Sequence, residues 1–482
     1  MPKAIHGFCD DTLGDHDAVA LAALVDSGEL QISEILEASI ARAHQVDPHL
    51  HAIVEHCSEQ SLERSGGDSS GPFAGVPTFI KDMNDLIGLP TRYGSAAYEG
   101  AQAATKNDPV VQQMIDLGFV PLGKTTMPEF GLICSAEPAE GLGEPTRNPW
   151  NTGHGVGGSS SGSAALVAAG VVPIAHAADG GGSIRIPAGS CGLVGLKPSR
   201  GRIIPSRMLA KQPIVFATDG IVSRSVRDTA HFYEHIERLN RKPKLEPIGS
   251  VTSPIKQKLR IAVVTESLGG IQIDQPTRKA IEQTMLLLEG LGHTVELIPI
   301  PAPESMRMDF VNMWSASAYI TRKSGGKSLD PCFDSTRLTP VVDGLANDFL
   351  KKILKIPGTY WRLRKAHSDW ARNFTEIDVV MTPCVSHLTP EIGYLSEGLD
   401  YETLFPRVMT WACFTGLANA TGGPSISLPL GHDSESNLPI GMLFNANHGK
   451  ERLLLELAYQ LEEAQPWKKI WGRGSWESLA TP

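Results

Sequence analysis

Apolar residues along this chain recur at two kinds of spacing. Between positions 17 and 46, Leu21, Leu24 and Val25 repeat at helical intervals, as do Ile35, Leu36, Ile40 and Ala43, with Gly28 between the sets. Two N-terminal helices are predicted. Residues 75–80 (GVPTFI) form a short apolar run with β-branched and aromatic members, which reads as a buried strand ending at Lys81. Residues 110–117 read as a helix and 120–122 as the start of a strand. Residues 163–169 read as a helix of small apolar side chains, and 171–177 (VVPIAHA) as a strand that delivers the chain to Asp179. Residues 259–264, 277–291 and 293–298 give strand, helix and strand. Strands at 378–381 and 425–430 and a closing helix at 449–464 follow. The alternation predicts an α/β protein with helices covering a sheet. Residues 301–371, rich in Lys, Arg, Trp and Met, show no clear strand and read as an irregular excursion, either a substrate wall or plain surface. The polar, Pro-containing stretch 241–253 reads as a linker.

Composition narrows the partners. The chain has 482 residues, 41% hydrophobic, with a formal net charge of -10, which disfavours nucleic acid and anionic membranes. No run of about 20 apolar residues is present to span a bilayer. Seven scattered cysteines without a C-x-x-C pair suggest neither a zinc ribbon nor a disulfide framework and fit a reducing compartment. With no apolar leader at the start, the expected location is cytoplasmic. No H-E-x-x-H motif occurs, so no catalytic metal or other cofactor is expected.

Two glycine- and serine-rich runs carry the candidate chemistry. Residues 153–158 (GHGVGG) fit G-x-G-x-x-G, but a turn-rich segment (RNPWNT) precedes them where a dinucleotide fingerprint needs a strand. Residues 158–162 (GSSSG) fit the G-x-S-x-G nucleophile elbow of α/β-hydrolases, with Ser160 as nucleophile, and lack the leading strand for the same reason. A third reading starts from 178–189 (ADGGGSIRIPAG). Gly180, Gly181 and Gly182 let the backbone take unusual dihedrals and let a ligand approach it. Their N–H groups, with that of Ser183, can form an oxyanion hole beside the Ser183 hydroxyl. A serine nucleophile needs a base. His176 lies within an apolar strand and reads as core. Lys81, at a strand end, can serve if burial leaves it neutral.

Taken together, 75–85 (GVPTFIKDMND), 157–165 (GGSSSGSAA) and 179–189 (DGGGSIRIPAG), in this order and spacing, resemble the amidase signature family. The likeness continues through 192–199 (GLVGLKPS), 421–429 (TGGPSISLP) and 438–441 (LPIG), and weakens over 301–371. It implies one large α/β domain with a mixed central sheet covered on both sides by helices. That domain would comprise N-terminal helices at about 15–60, a catalytic core at about 70–235, the linker and variable wall, and C-terminal core elements at about 378–465. It also implies a Ser–cisSer–Lys set: Ser183 as nucleophile, Ser159 as the bridging serine after a cis peptide bond, and Lys81 as base. Ser160, Asp179 and Arg185 would support the site. The substrate would be a small amide or carbamate, including aryl and cyclic amides, with esters as a side activity, and the chain would act as a monomer or homodimer. Trp314, Cys413 and Phe414 are candidates for the substrate pocket. The same catalytic set would serve the glutaminase subunit of a tRNA-dependent amidotransferase, and a non-catalytic binding protein on this scaffold is a third class. Two positions depart from the family pattern: Ser161 stands where glycine is common, and Gly180 where a larger residue is. A working Lys81 must lose most of the gap between its ordinary pKa of about 10.4 and neutrality. Asp82 and Asp85 would oppose that unless they are paired elsewhere.

Overall fold

The computed structural model describes residues 4–64, 70–208, 210, 215–240, 242 and 244–471. In chain order the strands are β1 (Ile53–His56), β2 (Pro77–Lys81), β3 (Val120–Thr125), β4 (Arg147–Asn148), β5 (Asn151–Gly155), β6 (Ile174–Asp179), β7 (Val194–Lys197), β8 (Thr218–Ser223), β9 (Arg260–Val263), β10 (Thr294–Leu297), β11 (Val379–Pro383), β12 (Ser425–Asp433) and β13 (Leu438–Asn445). Eight of them form one mixed sheet in the order β10-β9-β11-β13-β12-β7-β8-β6. Its first three strands run parallel, and every later pairing is antiparallel. β9 and β10 are joined through the helix Gln275–Gly290, the strand–helix–strand unit expected from the apolar spacing. Helices flank the sheet, and one apolar core runs from Leu13 to Leu461 across it.

A smaller sheet, β1-β3-β2, abuts the β6 edge of the large one. The join uses side chains. The Thr78 hydroxyl donates to the Ile174 carbonyl at 3.1 Å, and the Lys81 N–H donates to His176 Nδ1 at 3.3 Å. Because Nδ1 accepts there, Nε2 holds the ring proton and faces Asp219 Oδ1 at 3.3 Å. His176 is therefore a core histidine, as its apolar strand predicts, and its two ring nitrogens are both occupied.

Three expectations change. Residues 301–371 are regular: helices at Ser305–Ser328, Pro340–Lys352 and Ile356–Ala371 fill most of the stretch. The turn-rich segment before the glycine run is a small β4–β5 hairpin outside the main sheet. Of the 241–253 stretch, residues 244–253 pack against the body, with Ile248 and Val251 buried and the Arg452 guanidinium donating to the Ile248 carbonyl at 3.0 Å. Arg241 and Pro243 lie outside the described residues.

The helix Arg185–Cys191, which leads out of the Gly180–Ser183 turn, lies directly on β13. A Cβ on Gly441 would come within 2.6 Å of Gly189 Cα. Replacing Gly441 with Val is therefore expected to cost roughly 1–3 kcal/mol of stability, read from the denaturation midpoint. Turnover should fall as well, because the displaced helix carries the turn with it.

Candidate active site

Lys81 ends β2 in a pocket of hydroxyls. It is 1% exposed, and its Nζ lies within hydrogen-bond distance of Ser159 Oγ at 2.7 Å, Ser160 Oγ at 3.2 Å and the Ala178 carbonyl at 3.5 Å. None of these partners carries charge. Complete burial brings the amine down to about 7, against the opposing pull of the Asp219 and Asp179 carboxylates. The two acids next to it in sequence are engaged elsewhere. Asp82 pairs with Lys124 at 2.6 Å, and Asp85 pairs with Arg207 at 3.0 Å.

Ser159 follows a cis Gly158–Ser159 peptide bond. The turn is closed by Ser161, whose hydroxyl donates to the Gly157 carbonyl at 2.7 Å. A side chain at this departure from the family pattern thus braces the start of the helix Ser161–Ala168. Ser160 points inward: it is fully buried and its hydroxyl donates to the Ala178 carbonyl at 3.2 Å. The wall over Ser159 comes from the Glu129–Gly131 turn, which no motif in the sequence marks. Gly131 has φ +66°, and a Cβ there would stand 2.9 Å from Ser159 Oγ.

The Gly180–Ser183 turn is held from below by a buried ion pair. Arg185 donates through Nε and Nη2 to both Asp179 oxygens, at 2.8 and 2.9 Å, with neither side chain exposed. Burial alone would raise the Asp179 carboxyl. Arg185 outweighs it and holds the group well below the usual carboxylate range. Asp179 then spends its oxygens on the turn, accepting from the Gly182 N–H at 2.8 Å and the Ile184 N–H at 3.2 Å. The Gly182 N–H, expected among the oxyanion donors, is thus hydrogen-bonded inside the turn. Glycine is required there for other reasons, a φ of +134° and a Cβ position filled by the Thr415 side chain. Gly180, Gly181 and Ser183 line the cavity and Gly182 does not. Gly180 has no such crowding; a Cβ would meet Ala217 Cβ at 3.4 Å, an ordinary contact. Two further supports were not foreseen. The Thr415 hydroxyl donates to the Gly181 carbonyl at 2.5 Å, and Asn419 Nδ2 donates to Asp179 Oδ1 at 2.9 Å. The only hint of either was their place just before the TGGPS stretch, whose Ser425 also receives Arg185 Nη1 at 3.2 Å.

Ser183 and Ser159 open onto one cavity of about 660 Å³. Its far wall is the helical region, through Met306, Phe310, Trp314 and Tyr360, and it includes Cys413. Phe414 does not take part. It is 3% exposed and packs into the core. No hydrogen bond joins the Ser159 and Ser183 hydroxyls among the described residues. One trio, His231, Glu234 and His235, has its ligand atoms within 4.8 Å of one another, but none of the three lines the cavity. Among the described residues no helix is long and apolar enough to cross a membrane.

The lysine–serine cluster and the glycine turn thus open onto one cavity of a mixed sheet flanked by helices. The chain belongs to the amidase family: the family description "Amidase" matches residues 34–455. It is an amide hydrolase. It is 46% identical to AmiC of Mycobacterium tuberculosis over 97% of this chain and 98% of that protein. It is 34% identical to the 6-aminohexanoate-cyclic-dimer hydrolase of a Pseudomonas species, over 94% of this chain and 95% of that protein. The structure of a 6-aminohexanoate cyclic dimer hydrolase complexed with substrate superposes with a TM-score of 0.83 at 32% identity, covering 94% of this chain and 97% of the other.

Because Gly131 has φ > 0 and abuts Ser159, Gly131→Ala is expected to lower kcat at least tenfold while leaving the global unfolding transition nearly in place. Steady-state rates and a thermal melt on the same preparation check this.

Proposed function

We propose that the chain hydrolyses the C–N bond of a small, largely apolar amide through an acyl-enzyme on Ser183, with Ser159 relaying protons to a neutral Lys81. The observation that carries this reading is the 2.7 Å contact of a fully buried lysine with a serine, in a pocket where no carboxylate touches the amine. A neutral amine has a lone pair to receive the Ser159 proton, and Ser159 then takes the proton of Ser183. The Ser183 oxygen bonds to the amide carbon, and the carbonyl electron pair moves to oxygen. Gly180, Gly181 and Ser183 line the cavity, and their N–H groups would hold that oxyanion. On collapse the C–N bond breaks, and the leaving nitrogen takes a proton from Ser159, resupplied by Lys81. Water then enters in place of the amine, and the same steps in reverse order free the acid and restore Ser183.

The cavity bears on the alternatives. Ser160 is sealed beneath Lys81 and does not line the cavity, which removes the basis for an α/β-hydrolase elbow there. Glutamine would bring an ammonium group, and among the described residues no Asp or Glu lines the wall to receive it, which argues against a glutaminase subunit. An apolar wall suits aryl, alkyl or cyclic amides and carbamates, with esters as a side activity. Chemistry of this kind calls for no resident metal.

Ser183→Ala is expected to abolish turnover, and a fluorophosphonate should add to Ser183 and not to Ser160, as peptide mapping would show. The acylation rate should rise with pH along one ionisation near 7, because below that value Lys81 is an ammonium without a lone pair. Asp219→Asn removes a charge that favours the ammonium, so the ionisation should move to lower pH. Lys81→Arg should be folded and inactive at every pH tested, since guanidinium does not deprotonate there.

A further inference from the structure

One charge faces the cavity that the acyl-transfer chemistry does not use. Arg307 lies on the helix Ser305–Ser328, on the face that presents Met306, Phe310 and Trp314 to the cavity. Among the described residues lining the cavity, Lys81 and Arg307 are the only cations, and no Asp or Glu is present. With the Lys81 amine brought to about 7, Arg307 supplies the one fixed charge among the described residues of a largely apolar enclosure.

Its guanidinium is unpaired. The Arg307 Nε is buried without a hydrogen-bond partner. Among the described residues no carboxylate pairs with it. Glu304, one helical turn earlier, instead accepts from the Gly269 N–H at 3.1 Å. The fully buried arginines meet carboxylates, Arg42 with Asp11, Arg185 with Asp179, and Arg202 with Glu237 and Glu451, whereas the half-buried Arg200 donates to the Asn419 and Ala420 carbonyls; Arg307, also half-buried, has neither kind of partner among the described residues. Arg307 is half-buried, and its buried Nε is an unmet donor that an arriving anion would satisfy. Its place in the cavity is also informative. Phe310, three residues on, reaches the glycine turn, where a Cβ on Gly181 would stand 3.1 Å from Phe310 Cζ. Three residues of helix advance about 4.5 Å, so Arg307 lies roughly one turn beyond the point where the helix meets the oxyanion loop. It also acts electrostatically on the Cys413 thiol, which shares that wall.

We propose that Arg307 forms an anion subsite of the substrate cavity and that the preferred substrates are amides carrying a carboxylate a few bonds from the scissile C–N bond. This rests on the acyl-enzyme reading of Ser183. The planar fork of a guanidinium holds a carboxylate through two parallel N–H bonds, and the apolar walls exclude the water that would otherwise screen it. The apolar lining holds the body of the substrate, and the arginine sets its register against the nucleophile.

The test uses two series of compounds. Monoanilides of straight-chain dicarboxylic acids place the charge on the acyl side, and N-acyl-4-aminobenzoates place it on the amine side. Each compound is compared with the uncharged analogue of the same length, in the wild type, Arg307→Gln and Arg307→Lys. At some length in one series, the wild type should favour the charged partner in kcat/KM. That preference should fall roughly ten- to hundred-fold in Arg307→Gln, mainly through KM, and be partly restored in Arg307→Lys. A wild type with no preference at any length in either series overturns the proposal, as does a preference that Arg307→Gln leaves unchanged. Fluorophosphonate labelling of Ser183 in the same wild-type preparation separates the two readings. Labelling with no charge preference sinks the anion subsite alone, whereas absent labelling sinks the acyl-enzyme on which it rests.

Discussion

Everything at this site hangs from the buried pair of Asp179 and Arg185. A carboxylate with no exposure accepts two guanidinium N–H bonds and still has lone pairs for the N–H groups of Gly182 and Ile184. A turn with glycine at three successive positions has little intrinsic reason to hold one shape. The ion pair supplies that reason from beneath, and Arg185 extends it by donating to the Thr415 carbonyl at 2.9 Å and to Asn419 Oδ1 at 2.7 Å. The glycine turn near position 180 is thereby tied to residues more than 200 positions later. Removing either partner would leave an uncompensated charge in the core.

Three fully buried lysines show how differently one side chain can be treated. Lys124 meets a carboxylate, Asp82, at 2.6 Å. Lys197 donates to the Pro198 carbonyl at 2.7 Å, and burial together with the nearby Arg185 charge lowers it to about 7. Lys81 is lowered to about 7 by burial as well. Of the latter two, only Lys81 is placed against serine hydroxyls at the edge of a cavity. A depressed lysine is therefore not by itself a sign of chemistry in this molecule; what it touches decides.

How much of this was legible in the sequence follows from the same physics. The buried strands around Lys81 and Asp179 and the flanking helices were readable, because a continuous apolar run or a one-faced stripe reports burial directly. β8 was not read. Its sequence, TDGIVS, places Asp219 and Gly220 in a fully buried strand, and both are needed there: Asp219 faces His176, and Gly220 leaves room for the Tyr233 hydroxyl. The helices of 301–371 were taken for irregular chain because Ser305–Ser328 packs against neighbouring helices on one side and lines a cavity on the other. Apolar residues on two faces blur the stripe. At the site itself, the short motifs pointed to Ser159, Ser183 and Lys81 through resemblance. The use of the Gly182 N–H, the closeness of Gly131 and the inward packing of Phe414 depend on contacts between distant segments, which no local pattern records.

The helical side of the cavity, within 301–371, bears on how such a protein can change over generations. It is one length of chain, while Lys81, Ser159 and Ser183 come from strands and turns earlier in the sequence. A substitution at Trp314 or Tyr360 reshapes what fits without altering the 2.7 Å approach of Lys81 to Ser159. Diet and chemistry are thus separately heritable. A lineage could trade one class of amide for another by small edits to a single segment, each leaving a working hydrolase behind.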